Sequence, residues 1–202
     1  MLSRRQFLRL SGTVAATAPF LTSAAAALPS PTAGTFTELR RGVGTYTQRG
    51  GTIGWLINDD ALVVVDTQSP QTAPDCWSGL QERTNQGLDL LINTHHHGDH
   101  TGGNGVFAPH TDRIVAHVNA PKLQRQAADN PDAQTYANTT FEEEWSESVG
   151  DETIRLRHHG PAHTGGDAVI FFQQANVVHV GDLIFNRAYP YIDVGGGADS
   201  EN

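Results

Sequence analysis

Leu62-Val63-Val64-Val65 is a wholly apolar run, mostly β-branched, preceded by Asn58-Asp59-Asp60 and closed by Asp66. β-Branched residues favour extended backbone, and a strand without polar alternation has no side to turn to water. Such a strand must lie in the middle of a sheet with both faces covered, which limits the chain to a layered architecture. Leu88 to Asn93 is a second run of this kind, and Ala168-Val169-Ile170-Phe171-Phe172 is a third.

The remaining segments supply the layers. Phe36 to Leu39, Val43 to Thr47 and Thr52 to Asn58 are short strand-like stretches broken by Gly42, Gly44, Gly50 and Gly51, a pattern that predicts an antiparallel meander. Helices are predicted over Thr72 to Thr84 and over Asn119 to Ala128, the second with Asn119 as its cap and Pro121 in its first turn. Arg113 to His117, Thr153 to Arg157, Ala168 to Gln173 and Asn176 to Val180 read as further strands. Asp129 to Gly150 reads as an acidic, irregular stretch in which Glu142-Glu143-Glu144 is a solvated face. Clustered strands, then alternation with helices, then strands again predict one α/β domain with mixed sheets and helices outside. The 202 residues suffice for one such domain.

The first residues belong to something else. Ser3-Arg4-Arg5-Gln6-Phe7-Leu8 has the twin arginine of a bacterial export signal, followed by a mildly apolar stretch and by Ala24-Ala25-Ala26-Ala27. Small residues at 25 and 27 place the cleavage after Ala27, so residues 1–27 read as a twin-arginine signal peptide and 28–34, with two prolines, as a flexible lead-in. The domain would then run over 35–202. The chain's partners in this reading are the twin-arginine export machinery and a small-molecule substrate, and its location is periplasmic or otherwise outside the cytoplasm. The formal charge is −9. Setting aside Arg4, Arg5 and Arg9 leaves 10 basic against 22 acidic side chains, a balance of −12. An acidic body with Lys122 as its one lysine argues against nucleic-acid binding, and against stable membrane association once the signal is removed. Cys76 stands alone, which excludes an intrachain disulfide, and reads as a packed thiol.

The chemistry is concentrated in Thr94-His95-His96-His97-Gly98-Asp99-His100-Thr101-Gly102-Gly103-Asn104, immediately after a predicted strand. In extended backbone His95 and His97 point to one side and His96 to the other, so two imidazoles can share an ion. The glycine at 98 then lets the chain turn, so that Asp99 and His100 can face a second position. Imidazole and carboxylate are donors that zinc accepts, and the absence of thiolates argues against a purely structural site. Downstream, His163 stands in the Gly/Pro-rich turn Gly160 to Asp167, and Asp182 follows the strand Asn176 to Val180.

His95-x-His97-x-Asp99-His100, then His163, then Asp182 resembles the metallo-β-lactamase superfamily. Thr94 to Asn104 and the Gly181-Asp182 pair are similar in particular to its glyoxalase II-like thioester hydrolases. The resemblance implies a four-layer αββα sandwich and two Zn2+ sites, with His95, His97 and His163 on the first, Asp99 and His100 on the second, and Asp182 bridging. Asp66 resembles the family's buried aspartate behind the ligands. The implied activity is zinc-dependent hydrolysis of an ester, thioester, lactone or β-lactam, with a metal-activated water as nucleophile oriented by Asp99. Loops Gly42 to Gly51 and Asp129 to Gly150 would set specificity. The family's last ligand of the second metal, another histidine, comes from well beyond the bridging aspartate, whereas this sequence stops at Asn202. The record therefore reads as truncated at its C-terminus, with the second site incomplete. Two alternatives stand beside hydrolysis: an iron-dependent, sulfur dioxygenase-like oxidoreductase on the same ligands, and a non-catalytic exported protein that binds a metal or a partner.

Overall fold

The computed structural model describes residues 34–199, so the export signal read over residues 1–27 lies outside the described residues. The larger of its two sheets begins with the expected meander: β1 (Thr35–Arg40), β2 (Val43–Thr47), β3 (Ile53–Ile57) and β4 (Leu62–Val65) pair antiparallel in chain order. Beyond β4 the pairing becomes parallel, through β5 (Leu90–Ile92), β6 (Ile114–His117) and β7 (Thr139–Phe141). Parallel neighbours need crossovers, and helices supply them. α1 (Ala73–Gln81) lies between β4 and β5, the short α2 (Gly98–Thr101) and α3 (Asn104–Phe107) between β5 and β6, and α4 (Ala120–Ala127) between β6 and β7. The smaller sheet is antiparallel, with β8 (Glu144–Val149), β9 (Glu152–Arg157), β10 (Val169–Phe172) and β11 (Val177–His179) side by side.

The apolar runs serve both faces of the larger sheet. Val63, Val65, Leu90 and Ile92 face the smaller sheet and pack with Ile154, Leu156, Ile170 and Phe172. Leu62, Val64 and Leu91 point the other way, against Ala73, Cys76 and Leu80 of α1 and Phe107 of α3. Each fully buried side chain of this kind is worth about 1.5–3 kcal/mol, so the period-two division of a few residues fixes the layering. The product is an α/β sandwich of two sheets with helices outside the larger one. The outer face of the smaller sheet carries Ser146, Arg155, Phe171 and Val178 in register and stays partly open, Val178 being 51% exposed.

Two expectations need correction. Asp129 to Gly150 is not irregular throughout, because it contains β7 and β8. Its acidic residues mislead because they sit at the edge of a sheet with cations opposite: Glu144 meets Arg155 at 2.8 Å, and Glu147 pairs with Arg113. Trp145 and Val149 meanwhile turn inward to the core. The stretch after β5 also holds two short helices that strand-and-loop reading missed. Gly98 opens the first of them in ordinary helical conformation with open space around it, so the turn there does not depend on glycine.

Candidate metal centre

β4 and β5 are parallel and end at the same edge, which brings Asp66 beside Thr94 and the histidine run that follows. Asp66 is fully buried with a φ of 64°, a left-handed conformation that non-glycine residues adopt at some cost. That backbone aims its carboxylate inward. Oδ1 accepts from the Thr94 amide at 2.8 Å, while Oδ2 accepts from the Thr94 hydroxyl at 2.7 Å and from His100 Nδ1 at 2.8 Å. The smaller sheet docks on the same strand end through the Ala168 amide, which donates to the Thr94 carbonyl. Gly181 lies so close that a Cβ would stand 2.8 Å from Thr94 Oγ1, and its φ is +52°, so glycine is required where the chain turns from β11 to Asp182.

These constraints bring three imidazoles to one point. His163 Nε2 is 3.2 Å from His95 Nε2 and 3.0 Å from His97 Nδ1, and the last two nitrogens are 3.1 Å apart. The far nitrogen of each ring fixes its tautomer. His163 Nδ1 lies 2.6 Å from the Tyr191 carbonyl, which can only accept, so Nδ1 carries the proton. His97 Nε2 donates to Asp193 Oδ2 at 2.9 Å. His95 Nδ1 donates to Thr94 Oγ1 at 3.0 Å, because that hydroxyl gives its own proton to Asp66. All three nitrogens that meet are therefore lone pairs, with no proton to share among them. Such a triangle is repulsive without a cation, and its edges come close to the ~3.3 Å between nitrogens of a tetrahedral ion with bonds of ~2.0–2.1 Å. The residues fit a divalent metal.

A second group adjoins the first: His95, His100 and Asp182 offer ligand atoms within 4.8 Å of one another. His100 Nε2 is buried without a hydrogen-bond partner, and it stands 3.1 Å from Asp182 Oδ1. Burial pushes His100 down, but Asp66 and Asp182 outweigh it and raise the ring to about 10. Burial pushes Asp182 up, yet His100 and the neighbouring imidazoles hold it below the usual carboxylate range. His95 is held neutral by burial and by the rings around it. Asp99 stands farther out, its side chain 54% exposed and Oδ2 3.9 Å from His100 Nε2.

Of the residues singled out in the sequence, His95, His97, His100, His163 and Asp182 thus converge, and Asp99 lies at the rim. His96 faces away, toward Asp193 at 3.6 Å. Asp167 supports the His163 turn by accepting from the Thr164 amide and hydroxyl. Gly50 and Gly51 approach Asp99 and His100, so the first of the two expected specificity loops borders the site. Tyr191 and Asp193 were missed. The available signal was a carboxylate just before Gly195-Gly196-Gly197. Cys76 is buried, and desolvation raises its thiol far above the ordinary range, as a packed residue should be.

Solved structures share this architecture at low identity. The DIM-1 metallo-beta-lactamase aligns with a TM-score of 0.67 and 15% identity over 82% of this chain and 77% of that one. A metallo-beta-lactamase from Pontibacter korlensis gives 0.67 and 16% over 82% and 79%. FIM-1 from Pseudomonas aeruginosa, in a mono-zinc form, gives 0.58 and 19% over 70% and 66%. Among curated proteins, the 2,4-dinitroanisole O-demethylase subunit alpha of Nocardioides sp. (strain JS1661) is 30% identical over 132 residues, 63% of this chain. The chain spans 39% of the length of that relative. A sequence model of the metallo-beta-lactamase superfamily matches residues 46–201. On that match, and on a sandwich whose strand ends gather histidines and aspartates, the chain belongs to the metallo-beta-lactamase superfamily.

Proposed function

We propose that the protein is an exported zinc hydrolase acting on an ester, thioester, lactone or β-lactam. His95, His97 and His163 would hold one ion, His100 and Asp99 the other, with Asp182 between them. The observation that carries this reading is the triangle of imidazole nitrogens at 3.0–3.2 Å, each ring's tautomer fixed from behind. Zinc, when bound, supplies Lewis acidity, polarising a substrate carbonyl and making water a competent nucleophile at neutral pH. The chain's residues orient and exclude. The Asp99 carboxylate at the rim accepts a hydrogen bond from incoming water and aims it, while Asp182 stays ionised beside His100. Asp66, buried behind the ligands, keeps His100 and Thr94 from swinging.

The test is metal analysis together with a panel of chromogenic ester, thioester and β-lactam substrates, assayed before and after chelation. The printed name of the Nocardioides relative adds 2,4-dinitroanisole, an aryl ether, to that panel. Stoichiometric zinc and turnover lost to chelator and restored by zinc are expected. Replacing His163 with Ala should lower turnover by about 100-fold or more. Full turnover in metal-free protein would sink the reading, and stoichiometric iron without hydrolysis would favour an oxidoreductase. The export reading is tested separately by fractionation of cells expressing the Arg4→Lys, Arg5→Lys double variant, which should retain the protein in the cytoplasm.

A further inference from the structure

Each candidate ligand ring is held from behind, but not by the same part of the chain. His95 and His100 lean on Asp66, directly or through Thr94, and Asp66 ends the strand next to β5. His97 and His163 lean on the segment after Asp182. His163 Nδ1 donates to the Tyr191 carbonyl at 2.6 Å, and His97 Nε2 donates to Asp193 Oδ2 at 2.9 Å across 96 positions of sequence. The turn that carries Asp193 is fastened to the His163 loop by backbone: the Asp193 amide donates to the His163 carbonyl at 3.0 Å, and the Gly165 amide to the Gly196 carbonyl at 2.8 Å. The other carboxylate oxygen, Oδ1, accepts from the Gly196 amide at 2.9 Å, so the group cannot rotate without losing a bond. At Gly196 a Cβ would stand 2.2 Å from Asp193 Oδ2 and 2.8 Å from His96 Cε1. Only glycine leaves the carboxylate where it is.

We propose that Asp193, clamped by the Gly196 turn, is a positioning residue that holds His97 with Nδ1 toward the first metal. The proposal rests on the reading of the site as a metal centre. A carboxylate accepting from the far N–H of a liganding imidazole fixes its tautomer, narrows its orientation and raises its basicity, and losing such a partner commonly weakens metal binding 10–100-fold. His96 and His97 with Asp193 also form a group that an ion can span. The 2.9 Å contact of His97 Nε2 with Asp193 is a hydrogen bond, and the 3.6 Å contact of His96 with the same oxygen is not, which favours orientation over a third ion.

The experiment uses the full chain with Asp193→Ala, Asp193→Asn and Gly196→Ala. Ring nitrogen NMR of the metal-free protein should show His97 as the Nε2–H tautomer in wild type and a mixture in Asp193→Ala. Competition titrations with zinc, and cobalt absorption spectra, should show about 10–100-fold weaker binding of the first ion in Asp193→Ala and Gly196→Ala. Asp193→Asn should fall between, since an amide oxygen still accepts the hydrogen bond without the charge. Should Asp193→Ala fail to fold, the other two variants decide, and melting of their metal-free forms must stay near wild type. Wild-type affinity, cobalt spectrum and tautomer in the variants would overturn the proposal while leaving the metal centre standing. So would a third bound ion lost on substitution. A wild-type chain that binds no divalent ion would overturn the metal centre and this proposal together.

Discussion

Asp66 meets three demands with one side chain: it continues the strand edge, anchors Thr94, and pairs with His100 where both side chains are buried. Removing one member of such a buried pair leaves the other uncompensated, which typically costs about 3–5 kcal/mol. Asp66→Ala should therefore lower the unfolding free energy of the metal-free protein by about that amount, as read in a denaturant titration. Asp66→Asn should cost less, since asparagine tolerates a positive φ and still accepts hydrogen bonds. By contrast Arg113 and Glu147, a close ion pair whose side chains are 40% and 27% exposed, are screened by solvent. Arg113→Ala should change stability by under about 1 kcal/mol in the same titration. Proximity in space is alike in the two cases, and burial separates them. His95, His97, Asp99 and His100 could be read directly because their spacing within a few residues is itself a local geometry. Asp193 could not, because its partner is 96 positions away and nothing near it in sequence reveals that.

Among the elements, β4 and β5 were legible because their lack of polar alternation has a single physical solution, burial on both faces. Leu56 and Leu156, fully buried on opposite sheets in the same inter-sheet core, test that solution. Either one changed to Ala should cost about 2–5 kcal/mol by thermal or chemical unfolding, with chelatable metal removed beforehand. The strand β8 was illegible for the opposite reason. Its core-facing Trp145 and Val149 are interleaved with Ser and Glu, and its charges are met by Arg155 on the next strand and by Arg113, which lies before β6. An edge strand decorated with charge looks like a solvated loop until its neighbour is known.

In the whole molecule, the two sheets meet at their rim in a pair of stacked rings: His117 at the end of β6 lies against His158 just after β9, with centroids 3.8 Å apart and planes at 18°. Burial, and then the neighbouring His158, lower His117 from 6.5 to about 4. The unfolded chain therefore binds the proton first. Stability should be fully present above about pH 6.5 and fall as pH drops toward 4, and His117→Gln should flatten that slope in unfolding measured across the range. The family and the greater part of the histidine and aspartate cluster were legible in sequence alone, since a two-residue period and a compact donor pattern are properties of local backbone. The partners of those donors, the outlying place of Asp99, and the contact between Asp193 and His97 were decided by tertiary structure. Hydrogen bonds and ion pairs form between atoms a few ångströms apart, and only the folded sandwich determines which distant residues share those ångströms.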